Sequence, residues 1–138
     1  MKPQRLFLAL LALTFVFVPQ TPRTAFAAPR GSSYKARLIS PKAGAVLIPG
    51  RVVRIEWMAV YPPVDLTMCE AEVLLSIDGG KTFTFVTSQR DPNVHYFDWV
   101  VPRSPTREAV LDIRFGCLGI YPETPSVQLQ STFEISEY

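Results

Sequence analysis

Cys69 and Cys117 are the only cysteines of the 138-residue chain, and His95 is its only histidine. Thiol and imidazole chemistry must therefore draw on these three positions. A dithiol redox pair favours Cys-x-x-Cys spacing, whereas these cysteines lie nearly fifty residues apart. Two cysteines and one histidine also make a poor zinc ligand set. His95 is followed by Tyr96 and Asp98, but no hydroxyl or thiol sits in a recognisable nucleophile elbow. It is expected to be an exposed strand histidine. Glu70 and Glu72 stand two apart on one strand face, a pattern compatible with paired carboxylates for glycoside hydrolysis and equally with a solvated surface. The run Ser76-Ile-Asp78-Gly-Gly80-Lys-Thr82-Phe83 reads as a tight turn. In it Asp78 accepts amide hydrogens, the glycines tolerate positive φ, and Phe83 packs beneath. No catalytic residue, metal site or cofactor is assigned.

Two segments carry a different kind of chemistry. Residues 59–68 and 117–126 are rich in proline, yet they hold Tyr61, Leu66, Met68, Leu118, Ile120 and Tyr121 where loops are ordinarily polar. Prolines beside tyrosines preorganise an amphipathic surface suited to a sugar ring or a protein partner. The competing expectation is that these side chains fold over an open end of the core.

The elements that must position these residues are strands. Thirteen prolines against seven glycines favour short extended segments and turns. Apolar residues repeat with period two through Val53, Ile55 and Trp57 against Arg54 and Glu56, and through Val73 and Leu75 against Glu70, Glu72 and Leu74. The same alternation marks Phe83 and Phe85. It recurs at Phe97, Trp99 and Val101, at Leu111, Ile113 and Phe115, and at Val127, Leu129, Ser131, Phe133 and Ile135. With Arg37 to Ile39 this gives about seven strands, separated by turn clusters such as Ser40-Pro41, Pro49-Gly50 and Asp91-Pro92-Asn93. The expected fold is all-β, a two-sheet antiparallel sandwich with Trp57, Trp99, Phe97, Phe115 and Phe133 in its core.

The first residues read as an export address. Lys2 and Arg5 precede Leu6 to Val18, thirteen uncharged residues and too few for the roughly 20 of a membrane span. Ala25-Phe26-Ala27 supplies a small-x-small cleavage pattern, so residues 1–27 are expected to be a signal peptide, 28–36 a flexible lead-in and 37–138 the domain. Cleavage leaves eleven Lys/Arg against twelve Asp/Glu, a net charge of −1. No basic cluster then remains for nucleic acid, and no stable membrane insertion is expected after cleavage.

Ser40-Pro41, Gly44, Gly50, Val53, Ile55 and Trp57 form one pattern. Ser76 to Phe83, Trp99-Val100-Val101-Pro102 and Phe133-Glu134-Ile135 form another. From Ile39 to Ile135 the chain resembles the small immunoglobulin-like or fibronectin-type-III-like modules of secreted bacterial proteins. The first pattern is also similar to the opening domain of certain fungal cell-wall proteins. The chain departs from such modules in its long Val60 to Met68 insertion and its cysteine pair. Ser76, Asp78, Gly80, Thr82 and Phe83 resemble the Asp box of sialidases and related propellers, but one copy cannot build a propeller.

In such modules the third and sixth main strands are antiparallel neighbours. Cys69 opens the third strand here and Cys117 follows the sixth, so the resemblance implies a disulfide at one end of one sheet. It further implies a non-catalytic, exported binding or structural accessory module of the cell envelope, periplasmic or secreted, with an envelope protein or a glycan as partner. Two other functions are weighed beside it. One is a carbohydrate-recognition module built on the loop tyrosines, and the other a small hydrolase uniting His95 with carboxylates. Pairing of a partner strand at a free sheet edge also stays open.

Overall fold

The computed structural model describes residues 33–125 and 132–137. Among these the strands are β1 (Lys35–Ser40), β2 (Val46–Leu47), β3 (Val52–Val60), β4 (Cys69–Ser76), β5 (Thr84–Gln89), β6 (Tyr96–Val100), β7 (Thr106–Cys117), β8 (Tyr121–Thr124) and β9 (Phe133–Ile135). A single 3-10 turn, Leu66–Met68, precedes β4. One sheet has the order β1-β3-β6; the other runs β2-β9-β7-β4-β5, with β8 beside the end of β7. The expected all-β, two-sheet sandwich is what the chain forms. Neighbouring strands are antiparallel except β2 and β9, which pair in parallel.

The two strands beyond the expected seven are β2 and β8, both short. Residues 121–124, expected as loop, instead fold back on β7, with Phe115 opposite Thr124 and Cys117 opposite Tyr121. Gly116 permits this return. A Cβ there would lie 3.1 Å from the Glu123 Cα and 3.3 Å from its backbone N, closer than packed atoms normally tolerate. The expected signal peptide, the start of the lead-in, and Val127, Leu129 and Ser131 lie outside the described residues.

Alternation decides which side chains meet inside. Ile55 and Trp57 of β3 face Ala71, Val73 and Leu75 of β4 and Leu111, Ile113 and Phe115 of β7, all buried in one core with Trp99, Val101, Phe133 and Ile135. Each fully buried large aliphatic or aromatic side chain contributes roughly 1.5–3 kcal/mol. Three sequence expectations need correction. Phe97 is half-buried at the core margin, because β6 is the edge of the three-stranded sheet. The flexible lead-in ends earlier than residue 36. Tyr34 is fully buried, its hydroxyl donating to the Ile113 carbonyl of the opposite sheet at 2.8 Å, and β1 begins at Lys35. Burial pushes the Tyr34 phenol well above its ordinary pKa. Leu74 is buried and not solvated, since it pairs with Phe85 and Asp112 on the outer face of the larger sheet.

Candidate functional site

The Ser76–Phe83 turn joins β4 to β5 and is held by its own side chains. Ser76 Oγ donates to Asp78 Oδ1 at 2.7 Å and accepts from the Gly80 amide at 2.8 Å. Asp78 also accepts from the Lys81 and Thr82 amides and, at 2.6 Å, from the Thr82 hydroxyl. Gly79 and Gly80 have φ of 73° and 89°, the left-handed region that glycine occupies without steric cost. Phe83 is half-buried, with the Arg114 guanidinium 5.6 Å from its ring centre. Gly79 N–H donates to the Glu108 carbonyl at 3.0 Å, tying the hairpin to β7. The side chains of Ser76, Asp78 and Thr82 are thus engaged in holding the turn.

These bonds hold the Asp78 carboxyl far below the usual carboxylate range, the Ser76 and Thr82 side chains contributing most. A folded-state pKa below the unfolded value means that the ionised form supports the fold. Its contribution is present above the unfolded pKa and fades as pH falls through the folded one. Hydrogen-exchange protection of the Gly80 and Thr82 amides is therefore expected to hold steady at neutral pH and to weaken only below about pH 4. In Asp78→Ala the same two amides should lose about tenfold or more in protection at neutral pH while core amides keep theirs.

At the opposite end of β4, Cys69 and Cys117 sit directly across from each other and are joined in a disulfide. The bridge links neighbours within one sheet. Asp65 caps the 3-10 turn leading into Cys69 by accepting from the Thr67 amide at 2.9 Å and its hydroxyl at 2.8 Å. That turn sets Met68 beside the bridge, and the Leu118 amide donates to the Met68 carbonyl at 3.0 Å, binding the turn after β7 to it.

The apolar residues of the two loops divide into two groups. Tyr61 turns inward: its ring centre lies 4.8 Å from that of Phe115 and 5.9 Å from that of Tyr34, and its hydroxyl donates to the Pro92 carbonyl. Burial raises the Tyr61 phenol to about 12. Leu66 also packs against the core, as does Tyr121, whose ring centre is 5.6 Å from Phe115. Met68, Leu118 and Ile120 face outward, 54%, 79% and 46% exposed.

Those three side chains line an open groove of about 1140 Å³ running past the disulfide, with Tyr121 on one wall and Glu70, Glu72, Glu123 and Arg90 around it. Glu70 accepts from the Ser88 hydroxyl. Arg114 donates to Asp112 at 3.0 Å and to Glu123 at 3.1 Å. The Glu72 carboxyl is raised, first by desolvation and then by Glu123 and Glu70, with Arg114 opposing.

His95 is not an exposed strand residue. It precedes β6 and is half-buried, tilted against Trp57 at 6.2 Å and Tyr61 at 6.0 Å between ring centres. Its Nε2 lies 3.3 Å from the Tyr61 hydroxyl oxygen. Its partners are thus aromatic, whereas Glu70 and Glu72 interact with Ser88, Glu123 and Arg114. Loop composition points to Tyr61, Leu66, Met68, Ile120 and Tyr121 as one tip; the groove also takes in Glu123 and Arg90, which that composition does not mark. The spacing held a signal for the acidic side: Glu70 and Glu72 follow one cysteine, and Glu123 follows the other by six residues.

No protein-family model matches the chain, and no curated protein matches it in sequence.

Proposed function

We propose that the chain is an exported, non-catalytic sandwich module of immunoglobulin or fibronectin-III type, acting as a binding accessory of the cell envelope. Its partner is a protein that docks on the groove at the disulfide end. The exposure of Met68, Leu118 and Ile120 together beside that groove is the observation that carries the reading. Isolated surface aliphatics are common, but a group of them around a concave surface marks interaction sites. A glycan stacked on both loop tyrosines fits less well. Sugar recognition needs an open aromatic face, and Tyr61 spends its ring and hydroxyl on Phe115, Tyr34 and Pro92.

The strand arrangement supports the fold-family part of the proposal. β1 and β2 leave consecutively for different sheets, β2 runs parallel to β9, and β1-β3-β6 faces β9-β7-β4-β5. Export is supported by the Leu6 to Val18 apolar run ahead of Ala25-Phe26-Ala27 and by a cysteine pair suited to an oxidising compartment.

The test is a Met68→Ser/Leu118→Ser/Ile120→Ser variant. Leu118 is largely in water and Met68 and Ile120 are about half exposed, so the melting temperature should stay within a few degrees of the parent. Retention on immobilised envelope proteins should fall by at least about tenfold, the scale expected when central apolar contacts are removed. Undiminished retention by the folded variant would refute the docking surface.

A further inference from the structure

We infer that the groove accepts an extended protein segment with two cationic side chains at alternate positions, followed by aliphatic residues. This rests on the reading of the groove as the docking surface and specifies its partner. Three carboxylates, Glu70, Glu72 and Glu123, border the groove, and Arg90 is the only cation bordering it among the described residues. The nearby Arg114 is already shared between Asp112 and Glu123. The groove therefore concentrates negative charge on a domain whose expected processed form carries only −1.

Geometry narrows the partner further. Glu70 and Glu72 project from the same face of β4, two residues apart, about 7 Å along a strand. An extended chain places its i and i+2 side chains at the same interval and on one side. Two cations so spaced meet both carboxylates together, an arrangement a helix, with its 3.6-residue period, does not reproduce. Beyond Glu70 the surface turns apolar at Met68, Leu118 and Ile120, which gives the aliphatic part of the segment its place. The upward shift of Glu72 agrees with this, since desolvation and then the acidic neighbours Glu123 and Glu70 outweigh the opposing Arg114. Carboxylates beside apolar surface are screened less than fully solvated ones, so pairing there is favoured over pairing elsewhere on the domain.

The experiment titrates the isotope-labelled domain, residues 28–138, with three synthetic peptides followed by amide chemical shifts. One is Lys-Thr-Lys-Thr-Leu-Thr-Ile; the second replaces both lysines by glutamate, and the third replaces leucine and isoleucine by serine. The first is expected to bind, with shifts centred on Glu70, Glu72, Leu118 and Ile120, and to weaken as salt rises. The second should not bind, and the third should bind at least about fivefold more weakly. Glu70→Gln/Glu72→Gln should weaken the first peptide at least about fivefold, as loss of two surface pairs implies, without lowering the melting temperature. Equal binding of the glutamate peptide, shifts centred elsewhere, or indifference to the double glutamine variant would overturn the inference. The two readings separate cleanly. If the triple serine variant loses envelope partners while the glutamine variant keeps them, the groove stands and the cationic segment is wrong. If both variants keep them, both readings fail.

Discussion

Trp57→Ala is expected to lower the unfolding free energy by about 3–5 kcal/mol, the range for emptying a large aromatic site in a packed core. Trp57 lies at the middle of β3, 1% exposed, paired with Leu38 of β1 on one side, and its amide donates to the His95 carbonyl at 3.0 Å. Its indole fills the space between the two sheets, and the neighbours that would have to collapse into the vacancy are strand residues held by ladder hydrogen bonds. Collapse is therefore limited and the cavity cost is kept. For a domain of about 100 residues this loss corresponds to a melting temperature lower by at least about 12 °C. Thermal unfolding followed by circular dichroism measures it. Trp57→Phe leaves a smaller void and should cost clearly less, which ties the effect to volume. A melting temperature unmoved by Trp57→Ala would mean that this side chain is not in the core.

The second large effect belongs to the disulfide. Cys69 and Cys117 close a loop of 48 residues in separation, for which chain entropy alone gives about 4 kcal/mol of stabilisation. Cys69→Ala/Cys117→Ala should lower the denaturant midpoint accordingly while the native ladder of β4 and β7 remains, and the slope should rise because the uncrosslinked unfolded chain exposes more surface. It should also loosen the turn after Cys117, where the Leu118 amide bonds to the Met68 carbonyl, so protection at Leu118 should fall more than at Ile113. Thiol titration of the unfolded, unreduced parent should find no free thiol, whereas two free thiols per chain would contradict the bridge.

Most of the strand plan could be read from the residues because period-two patterns record burial directly. Ile55 and Trp57, Val73 and Leu75, and Leu111, Ile113 and Phe115 all point inward as their spacing implies. What escaped was set by contacts distant in sequence. Tyr34 follows Gly31-Ser32-Ser33 and looks like part of a polar leader; its stacking on Phe115 and Tyr61 and its bond to the Ile113 carbonyl make it core. β8 carries Pro122 and is followed by Pro125, which read as turn, and its pairing depends on the missing side chain of Gly116. Tyr61 and Tyr121 share one composition signal with Met68 and Ile120. Proximity to Phe115 separates the tyrosines from the exposed aliphatics, and local pattern cannot supply that information. Each carboxylate of the groove likewise has an ordinary place on a solvated strand face, and only the fold assembles them.

Site-specific photocross-linking in the native envelope tests the docking surface most directly. A photoreactive residue at Leu118, 79% exposed beside the disulfide, is compared with one at Val52, 66% exposed on the outer face of the three-stranded sheet. The two positions are similarly accessible, so random encounter labels them alike. The account predicts a discrete cross-linked protein band from Leu118 that is absent from Val52 and lost when Met68 and Ile120 are serine. A discrete band from Val52 with none from Leu118 would contradict it.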